Sequence, residues 1–266
     1  MPQTSLNGTT YAYTDEGEGD LVLFGHGLLA SKEMFDAQVA ALKDRYRCVS
    51  VDWPGHGASG YRENGWDFYD MVEDSASLVR ELGYDRAVFA GLSQGGMVFM
   101  RLALRHPELV RGLVLLDTSA GPEDPDSLPQ YEQLREAMWK GDEEMRAAAT
   151  DAAQQVLYGA TWRAEDPEGL AHEKQLIMAH DRDGLNLACR AVFDRDEVVD
   201  QLGQISAPTL VICGEEDVAT PPDRARQLAD GIPGAELVMI PRAGHHSPIE
   251  NPQPVTEAIE AFLAKL

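Results

Sequence analysis

Several features that define special classes of protein are scarce in this sequence. It has only three cysteines, Cys48, Cys189 and Cys213, an odd number at wide spacing that offers no disulfide framework. No apolar run approaches the length of about 18 residues that a membrane-spanning helix needs. Residues 1–20 lack the basic start and the apolar stretch of a signal peptide. We therefore expect a soluble, cytoplasmic protein whose thiols are buried.

Positive charge is also scarce. The chain has 22 Lys and Arg residues against 45 Asp and Glu residues, which gives a formal net charge of −23. Nucleic acids and anionic membranes are polyanions, so both are disfavoured as partners, and the dispersed acidic residues predict a solvated surface. Spacings typical of metal sites, P-loops and dinucleotide-binding loops are absent, so no metal and no cofactor is expected. The expected partner is a small molecule, and a homo-oligomer is left open.

What the sequence does contain is an alternation of strands and helices. Short apolar runs, which read as buried strands, occur at 21–24, 48–51, 87–90, 113–116, 209–213 and 237–240. Segments with helical spacing lie at 34–42, 70–82, 96–104 and 252–263. This alternation predicts an α/β fold with a mostly parallel, doubly wound sheet. Near the start, Asn7-Gly8 between two strand-like pieces predicts a hairpin.

The alternation is interrupted once, over residues 119–206. This segment is rich in Ala, Glu, Asp, Met and Arg and lacks β-branched runs, so it predicts several helices. We expect a core domain of residues 1–118 and 207–266, with 119–206 inserted as a helical cap, or lid, at the C-terminal side of the sheet. The candidate pocket residues are Leu29, Met138, Trp139, Trp162 and His246. Apolar residues at such spacing also pack helices together, which is the alternative for the residues of the insertion.

Ser93 is the candidate nucleophile. It lies in Gly91-x-Ser93-x-Gly95, directly after the strand 87–90 and before the helix 96–104. A serine on a sharp turn from strand to helix is exposed at a helix N-terminus, and small residues two positions away let neighbouring backbone pass close by. Such a pattern also arises by chance, so the flanking elements and the partners decide its meaning.

A serine nucleophile needs a base to take its proton and an acid to orient that base. Asp217 follows the strand 209–213, and His245 follows the strand 237–240. Parallel strands bring their C-terminal loops to one edge of the sheet, so Ser93, Asp217 and His245 are expected to meet there. Asp117, just after the strand 113–116, is an alternative acid, and His246 is an alternative base.

With these motifs in order along nearly the whole chain, the sequence resembles the α/β-hydrolase fold family. The resemblance is carried by Gly25-His26-Gly27, Asp52-Trp53-Pro54-Gly55-His56-Gly57-Ala58-Ser59, Gly91-Leu92-Ser93-Gln94-Gly95-Gly96, Gly214-Glu215-Glu216-Asp217 and Gly244-His245 with Glu250 and Pro252 beyond it. It implies Ser93 as nucleophile, His245 as base and Asp217 as the orienting acid. It also implies an oxyanion hole made by the backbone N–H groups of Leu28 and Gln94, with His26 bracing the loop.

The expected function is a serine hydrolase that cleaves a small or medium carboxylic ester or lactone through an acyl-enzyme on Ser93. The stretches 91–97 and 105–108 resemble those of family members near the enol-lactone hydrolases. At Gly25-His26-Gly27 the sequence differs from that group, which often has a different oxyanion loop. Carbon–carbon bond hydrolases and cofactor-free perhydrolases of this fold use the same triad and are the alternatives. A ligand-binding protein without catalysis on this scaffold is the alternative from another class. Serine at position 93 argues against the dehalogenases and epoxide hydrolases of this fold, which use an Asp nucleophile.

Overall fold

Eight strands form a single, mostly parallel sheet in the computed structural model, which describes residues 2–266. The strands are β1 (Gln3–Leu6), β2 (Thr9–Glu16), β3 (Asp20–Gly25), β4 (Tyr46–Val51), β5 (Ala87–Leu92), β6 (Val110–Leu116), β7 (Thr209–Gly214) and β8 (Glu236–Ile240). Their order across the sheet is β1-β2-β4-β3-β5-β6-β7-β8. The hairpin β1–β2 is antiparallel and also pairs antiparallel with β4, whereas β3 to β8 run parallel. The predicted hairpin and parallel sheet are both confirmed.

Helices cover both faces of this sheet. They are α1 (Asp36–Leu42), α2 (Phe68–Glu81), α3 (Gln94–Arg105), α9 (Pro222–Gly231), α10 (Ser247–Glu250) and α11 (Pro252–Leu263), with α4 to α8 in the insertion described below. Successive strand residues point to opposite faces. Val88 and Ala90 of β5 pack in the cluster that includes side chains of α1 and α11, while Phe89 packs in the cluster of α2 and α3. Two apolar cores therefore enclose the sheet, as expected of a doubly wound fold.

The helix boundaries differ from the predicted ones where side chains cap a turn. α2 begins at Phe68 because Asp67 accepts from the N–H of Asp70 and the Asp70 side chain accepts in return, which forms a capping box. A 3₁₀ turn, Lys32–Phe35, precedes α1 where one continuous helix is predicted. The helix α9 has no counterpart in the prediction. It begins at Pro222, directly after Pro221, and a proline in the first turn is compatible with a helix start.

Five helices lie between β6 and β7, within the predicted insertion at 119–206, which we call the helical insertion. They are α4 (Leu128–Lys140), α5 (Glu143–Leu157), α6 (Ala160–Glu165), α7 (Pro167–Ala179) and α8 (Arg182–Phe193). Their apolar side chains form a third, smaller cluster, which includes Met138, Ala153 and Ile177 and also reaches Leu29 of the sheet edge. The division into a core domain and a cap domain stays a prediction. None of the helices in residues 2–266 combines the length and apolarity needed to cross a bilayer.

Candidate active site

Ser93 occupies a strained turn between β5 and α3. Its backbone φ of 49° and ψ of −113° lie outside the regions that residues other than glycine normally adopt. The Ser93 N–H donates to the carbonyl of Leu116 at 2.9 Å, and the Ser93 carbonyl accepts from the N–H of Met97 at 2.9 Å and from Thr118 Oγ1 at 2.7 Å. These bonds hold the strained conformation and keep Ser93 at the C-terminal edge of the sheet, at the N-terminus of α3.

Gly91 and Gly95 make this turn sterically possible. A methyl group on Gly91 would lie 2.3 Å from the carbonyl carbon of Gly95, and one on Gly95 would lie 2.1 Å from the carbonyl oxygen of Gly25. Both separations are far below van der Waals contact, so any side chain would force α3 away from β5 and β3. The glycines of the sequence motif therefore have a steric cause in this chain.

The imidazole of His245 is paired with the carboxylate of Asp217. His245 Nδ1 lies 3.1 Å from Asp217 Oδ1 and 3.0 Å from Oδ2. Asp217 Oδ1 also accepts from the N–H groups of Ala219 at 2.9 Å and Thr220 at 3.0 Å, and Oδ2 accepts from Thr220 Oγ1 at 2.8 Å. Such a carboxylate favours a proton on Nδ1 and leaves Nε2 as the basic nitrogen.

The surroundings of His245 make it a stronger base than a free imidazole. Burial acts to lower the pKa of His245, but the charge and the hydrogen bond of Asp217 act in the opposite direction, and the net pKa is raised. Asp117 and Glu250 add smaller contributions that also raise it. His245 and Ser93 line the same cavity. The structure thus brings together the residues predicted as nucleophile, base and acid.

Asp117, the alternative acid, is buried at the end of β6 and makes its hydrogen bonds elsewhere. Oδ1 accepts from the N–H of Gly214 at 2.7 Å, and Oδ2 accepts from Ser247 Oγ at 2.5 Å. Burial, followed by the nearby charge of Asp217, raises the pKa of Asp117 well above its ordinary value. A carboxyl group that resists ionisation and does not hydrogen-bond to His245 is poorly placed to orient the imidazole.

Two backbone N–H groups beside Ser93, those of Leu28 and Gln94, have no acceptor among residues 2–266. Gln94 is the first residue of α3, so its N–H is one of the free donors of a helix N-terminus. Leu28 lies in the loop after β3, which runs so close to the nucleophile turn that a methyl group on Gly27 would lie 3.3 Å from Ser93 Cβ. Both amides are therefore available to a negative oxygen that develops next to Ser93.

His26 holds the start of this loop. Its Nδ1 lies 2.6 Å from the carbonyl oxygen of Gly27, its Nε2 accepts from the N–H of Trp53 at 3.0 Å, and its carbonyl accepts from Trp53 Nε1 at 2.9 Å. Burial lowers the pKa of His26 to about 4, so the ring is neutral near pH 7 and acts as both donor and acceptor. This geometry agrees with the bracing role expected from the sequence.

A cavity of about 110 Å³ lies beside Ser93 and His245, between the sheet edge and the helical insertion. It is lined by Leu28, Leu29, Ser93, Met97, Glu123, Tyr131, Leu134, Arg135, Met138, Ala153, Val156, Leu157, Cys189, Val192, Phe193, Ala219, Thr220 and His245. Its two charged side chains are both paired: Glu123 with Arg195 at 2.6 Å, and Arg135 with Glu132 at 2.6 Å. The cavity is therefore mainly apolar, and its charges are balanced locally.

Of the candidate pocket residues, Leu29 and Met138 line this cavity, whereas Trp139, Trp162 and His246 do not, which corrects their predicted placement. Trp139 is the neighbour of Met138 on α4, and successive helical residues point about 100° apart. Its Nε1 donates to Asp183 Oδ1 at 2.7 Å. Trp162 stacks on Tyr158, with ring centroids 5.0 Å apart, and His246 packs edge-on against the same ring at 4.7 Å. Trp139 and Trp162 thus make contacts within the helical insertion, and His246 packs against it from the core.

The sequence interpretation missed most of the cavity wall, although one signal was available. Tyr131, Leu134, Arg135 and Met138 follow the spacing of one face of a helix, and all four line the cavity from α4. The polar members Tyr131 and Arg135 obscure this pattern when only apolar residues are counted. Cys189, Val192 and Phe193 line the cavity from α8 with the same helical spacing, and α8 packs against α4.

Among the described residues, Asp117, Cys213 and Asp217 form the cluster whose side chains resemble metal ligands, with donor atoms within 4.8 Å of one another. Metal binding requires a thiolate, but burial raises the pKa of the Cys213 thiol far above its ordinary value. The carboxylate of Asp217 is already bonded to His245 and to the loop after β7. The cluster is therefore better explained as the surroundings of the His245–Asp217 pair.

A comparison of the sequence with known families agrees with this site, in which Ser93 follows a strand and Asp217 and His245 come later in the chain. Residues 20–252 match the family described as alpha/beta hydrolase fold. The chain belongs to the α/β-hydrolase fold family. This finding confirms the fold and the family predicted from the sequence, and it supports a hydrolase at the level of the family.

Individual relatives in this family are similar over nearly their full length. The chain is 29% identical over 255 residues to the protein named "Putative carbamate hydrolase RutD" of Agrobacterium fabrum, covering 93% of this chain and 94% of that one. The structure of a thermophilic esterase from Thermogutta terrifontis is similar with a TM-score of 0.92 at 29% identity, over 100% of this chain and 99% of the other. The enol-lactonase from Burkholderia xenovorans LB400 is similar with a TM-score of 0.89 at 29% identity, over 99% and 100%.

Proposed function

We propose that the protein is a serine hydrolase that cleaves a small or medium carboxylic ester or lactone, with Ser93 as nucleophile, His245 as general base and Asp217 as orienting acid. The observation that carries the proposal is that Ser93 and His245 line one cavity while His245 Nδ1 is bonded to the carboxylate of Asp217. The strained backbone of Ser93 supports it, because strain of this kind is retained where the side chain has a function.

The reaction follows from these positions. Nε2 of His245 accepts the proton of Ser93 as Oγ attacks the carbonyl carbon, and the N–H groups of Leu28 and Gln94 bind the oxyanion of the tetrahedral intermediate. The imidazolium then donates its proton to the leaving alcohol oxygen, and the acyl group stays on Ser93. Water, deprotonated by His245, then attacks the acyl-enzyme. The imidazolium returns the proton to Ser93 Oγ as the acyl–oxygen bond breaks, and the acid is released.

The cavity favours esters and lactones that carry an apolar group. Burial of apolar surface contributes about 25 cal/mol per Å², and the walls offer side chains such as Leu134, Met138 and Val192 for such contacts. Carbamate hydrolysis is the second candidate because of the full-length similarity to a protein with that name. The mainly apolar walls suit the apolar groups of an ester or lactone, so we rank the ester or lactone first.

The decisive experiment replaces Ser93 by Ala. Turnover of an aryl ester is expected to fall on the order of a million-fold, as in triad deletions elsewhere, and labelling by a fluorophosphonate probe should disappear. Ser50→Ala is the matched control because Ser50 is also buried in the sheet but has no hydrogen-bond partner for its hydroxyl. Near-normal ester cleavage by Ser93→Ala would contradict the proposal.

A substrate panel separates the remaining reactions. Wild-type protein is assayed with an aryl ester, a lactone, a carbamate, a vinylogous diketone, and acetate plus peroxide. Faster Ser93-dependent turnover of the ester or lactone supports the proposal, whereas preference for the diketone or the peroxide reaction would indicate a carbon–carbon hydrolase or a perhydrolase. Labelling of Ser93 without turnover of any substrate would favour a ligand-binding protein.

A further inference from the structure

His180 lies at the C-terminal end of α7 in the helical insertion, yet its ring contacts the loop that follows β3. Its Nδ1 accepts from the N–H of Gly57 at 3.2 Å, and its Nε2 lies 3.3 Å from the carbonyl oxygen of Leu29. The Gly57 N–H can only donate, so Nδ1 is unprotonated and Nε2–H must be the donor to Leu29. The side chain is 7% exposed, so water does not readily replace either bond.

Leu29 is held in an unusual conformation by two histidines. Its φ is 68°, a left-handed value that costs free energy for a leucine. The Leu29 N–H donates to Nε2 of His56 at 3.3 Å, and the Leu29 carbonyl accepts from His180. The bond to His56 holds the peptide group between Leu28 and Leu29, and the bond from His180 holds the next peptide group. Together they restrict the rotation of Leu28, whose N–H is a proposed oxyanion donor.

The three histidines of this region form one buried row. The ring centroids of His26 and His56 are 4.9 Å apart, those of His56 and His180 are 5.2 Å apart, and both pairs meet edge to face. Burial lowers the pKa of each ring, so all three stay neutral near pH 7 and can each donate one bond and accept another. The nearby charged groups on the surrounding elements are Glu33, Asp52 and Arg146, together with Lys32, which pairs with Asp52 at 3.0 Å.

Of these three histidines, His180 is the one that the helical insertion supplies. Its carbonyl accepts from Arg146 of α5 at 3.0 Å, so the position of the ring depends on how α5 and α7 are seated. The same insertion forms most of the cavity wall. We propose that His180 is a positioning residue that couples the seating of the helical insertion to the geometry of the oxyanion loop at Leu28–Leu29. The inference rests on the proposed serine hydrolase function.

The first test replaces His180 by Ala and measures aryl ester hydrolysis. We expect kcat to fall by about tenfold to a hundredfold, since a misplaced oxyanion donor costs up to about that factor, while KM changes by less than about threefold. The affinity for a trifluoromethyl ketone, which forms a tetrahedral adduct with the nucleophile, should fall in parallel with kcat. If His180 had only a structural role, the variant would lose stability, but its affinity for the ketone would not fall together with kcat.

Two further variants test separately the hydrogen bonds that the His180 ring makes to Gly57 and to Leu29. In His180→Gln the amide reaches the position of Nε2 and can donate to Leu29, whereas in His180→Asn it reaches the position of Nδ1 and can accept only from Gly57. Recovery of kcat by Gln but not by Asn supports the proposal. Better recovery by Asn would overturn it, because the turn at Gly57 would then be the important partner. This comparison stands even if the Ala variant does not fold.

Gln154→Leu provides the matched control. Gln154 is also buried in the insertion, and it donates to the Leu170 carbonyl at 2.8 Å without touching the oxyanion loop. This variant should lose stability but keep kcat. Equal losses of kcat in Gln154→Leu and His180→Ala would overturn the inference about His180 but leave the proposed hydrolase function intact. Wild-type protein without Ser93-dependent turnover or fluorophosphonate labelling would instead overturn the proposed function, and the inference with it.

Discussion

Replacing Asp217 by Asn tests which carboxyl group orients His245, and the structure predicts how the new amide would sit. Oδ1 of Asp217 accepts from the N–H groups of Ala219 and Thr220, which can only donate. The amide oxygen must therefore take this position, and the NH₂ group then faces His245 Nδ1, which is 3.0 Å from Oδ2. The amide donates to Nδ1, so the proton of the neutral imidazole moves to Nε2.

A histidine with its proton on Nε2 cannot accept the proton of Ser93. The same change of tautomer in a well-studied serine protease lowers kcat about 10⁴-fold, which corresponds to about 5.5 kcal/mol of transition-state free energy. We expect a loss of that order for Asp217→Asn in the rate of acylation, measured by the burst of alcohol release from an aryl ester. Circular dichroism verifies that the variant remains folded.

Asp117→Asn is the matched comparison because Asp117 is also a buried carboxyl group at a strand end. Its Oδ1 accepts from Gly214 N–H, so the amide NH₂ would face Ser247 Oγ, which can accept as well as donate. The change keeps both contacts, and we expect kcat to stay within about threefold of wild type. If Asp117→Asn lost as much activity as Asp217→Asn, or more, the assignment of the acid would be refuted.

Two further predictions concern the base and the pocket. Only neutral His245 accepts a proton, and its pKa is raised above the ordinary value of about 6.5, so kcat/KM should be full above that pKa and fall as the pH drops through it. An acid inflection below about 6 in a pH profile would contradict the pairing with Asp217. Met138→Ala should raise KM for an aryl ester roughly tenfold, because Met138 lines the cavity, whereas Trp139→Ala should leave KM unchanged. Equal effects of the two changes would disprove the orientation of α4.

The parts of the structure that could be predicted have local signals. The strands of the sheet are short apolar runs, and the turn at Ser93 is marked by Gly91 and Gly95, whose lack of a side chain is a steric requirement. The order of Ser93, Asp217 and His245 along the chain then implied one sheet edge, because parallel strands end together. Helix α9 was missed because it is short and polar and begins at the second of two consecutive prolines, so the segment reads as a loop.

The cavity could be predicted only in part, because its walls depend on how helices pack. Met138 and Trp139 are neighbours of similar apolar character, and only the rotation of α4 decides that the first lines the cavity while the second binds Asp183. The partner of a buried histidine is equally hard to predict from sequence. His180 bonds to Leu29 across 151 residues of sequence, and no spacing rule relates the two positions.

The contacts of the helical insertion with the sheet edge also bear on how the site works. Glu216, in the loop of Asp217, accepts from the N–H of Thr161 at 2.9 Å. Glu250, which follows His245, accepts from the N–H groups of Gly159 at 2.8 Å and Gly244 at 2.7 Å. With His180 on the oxyanion loop, the insertion is bonded to three of the four segments that carry the proposed machinery, the exception being the turn at Ser93. Lifting it would break hydrogen bonds that contribute about 0.5–3 kcal/mol each, so we expect the insertion to stay seated during turnover.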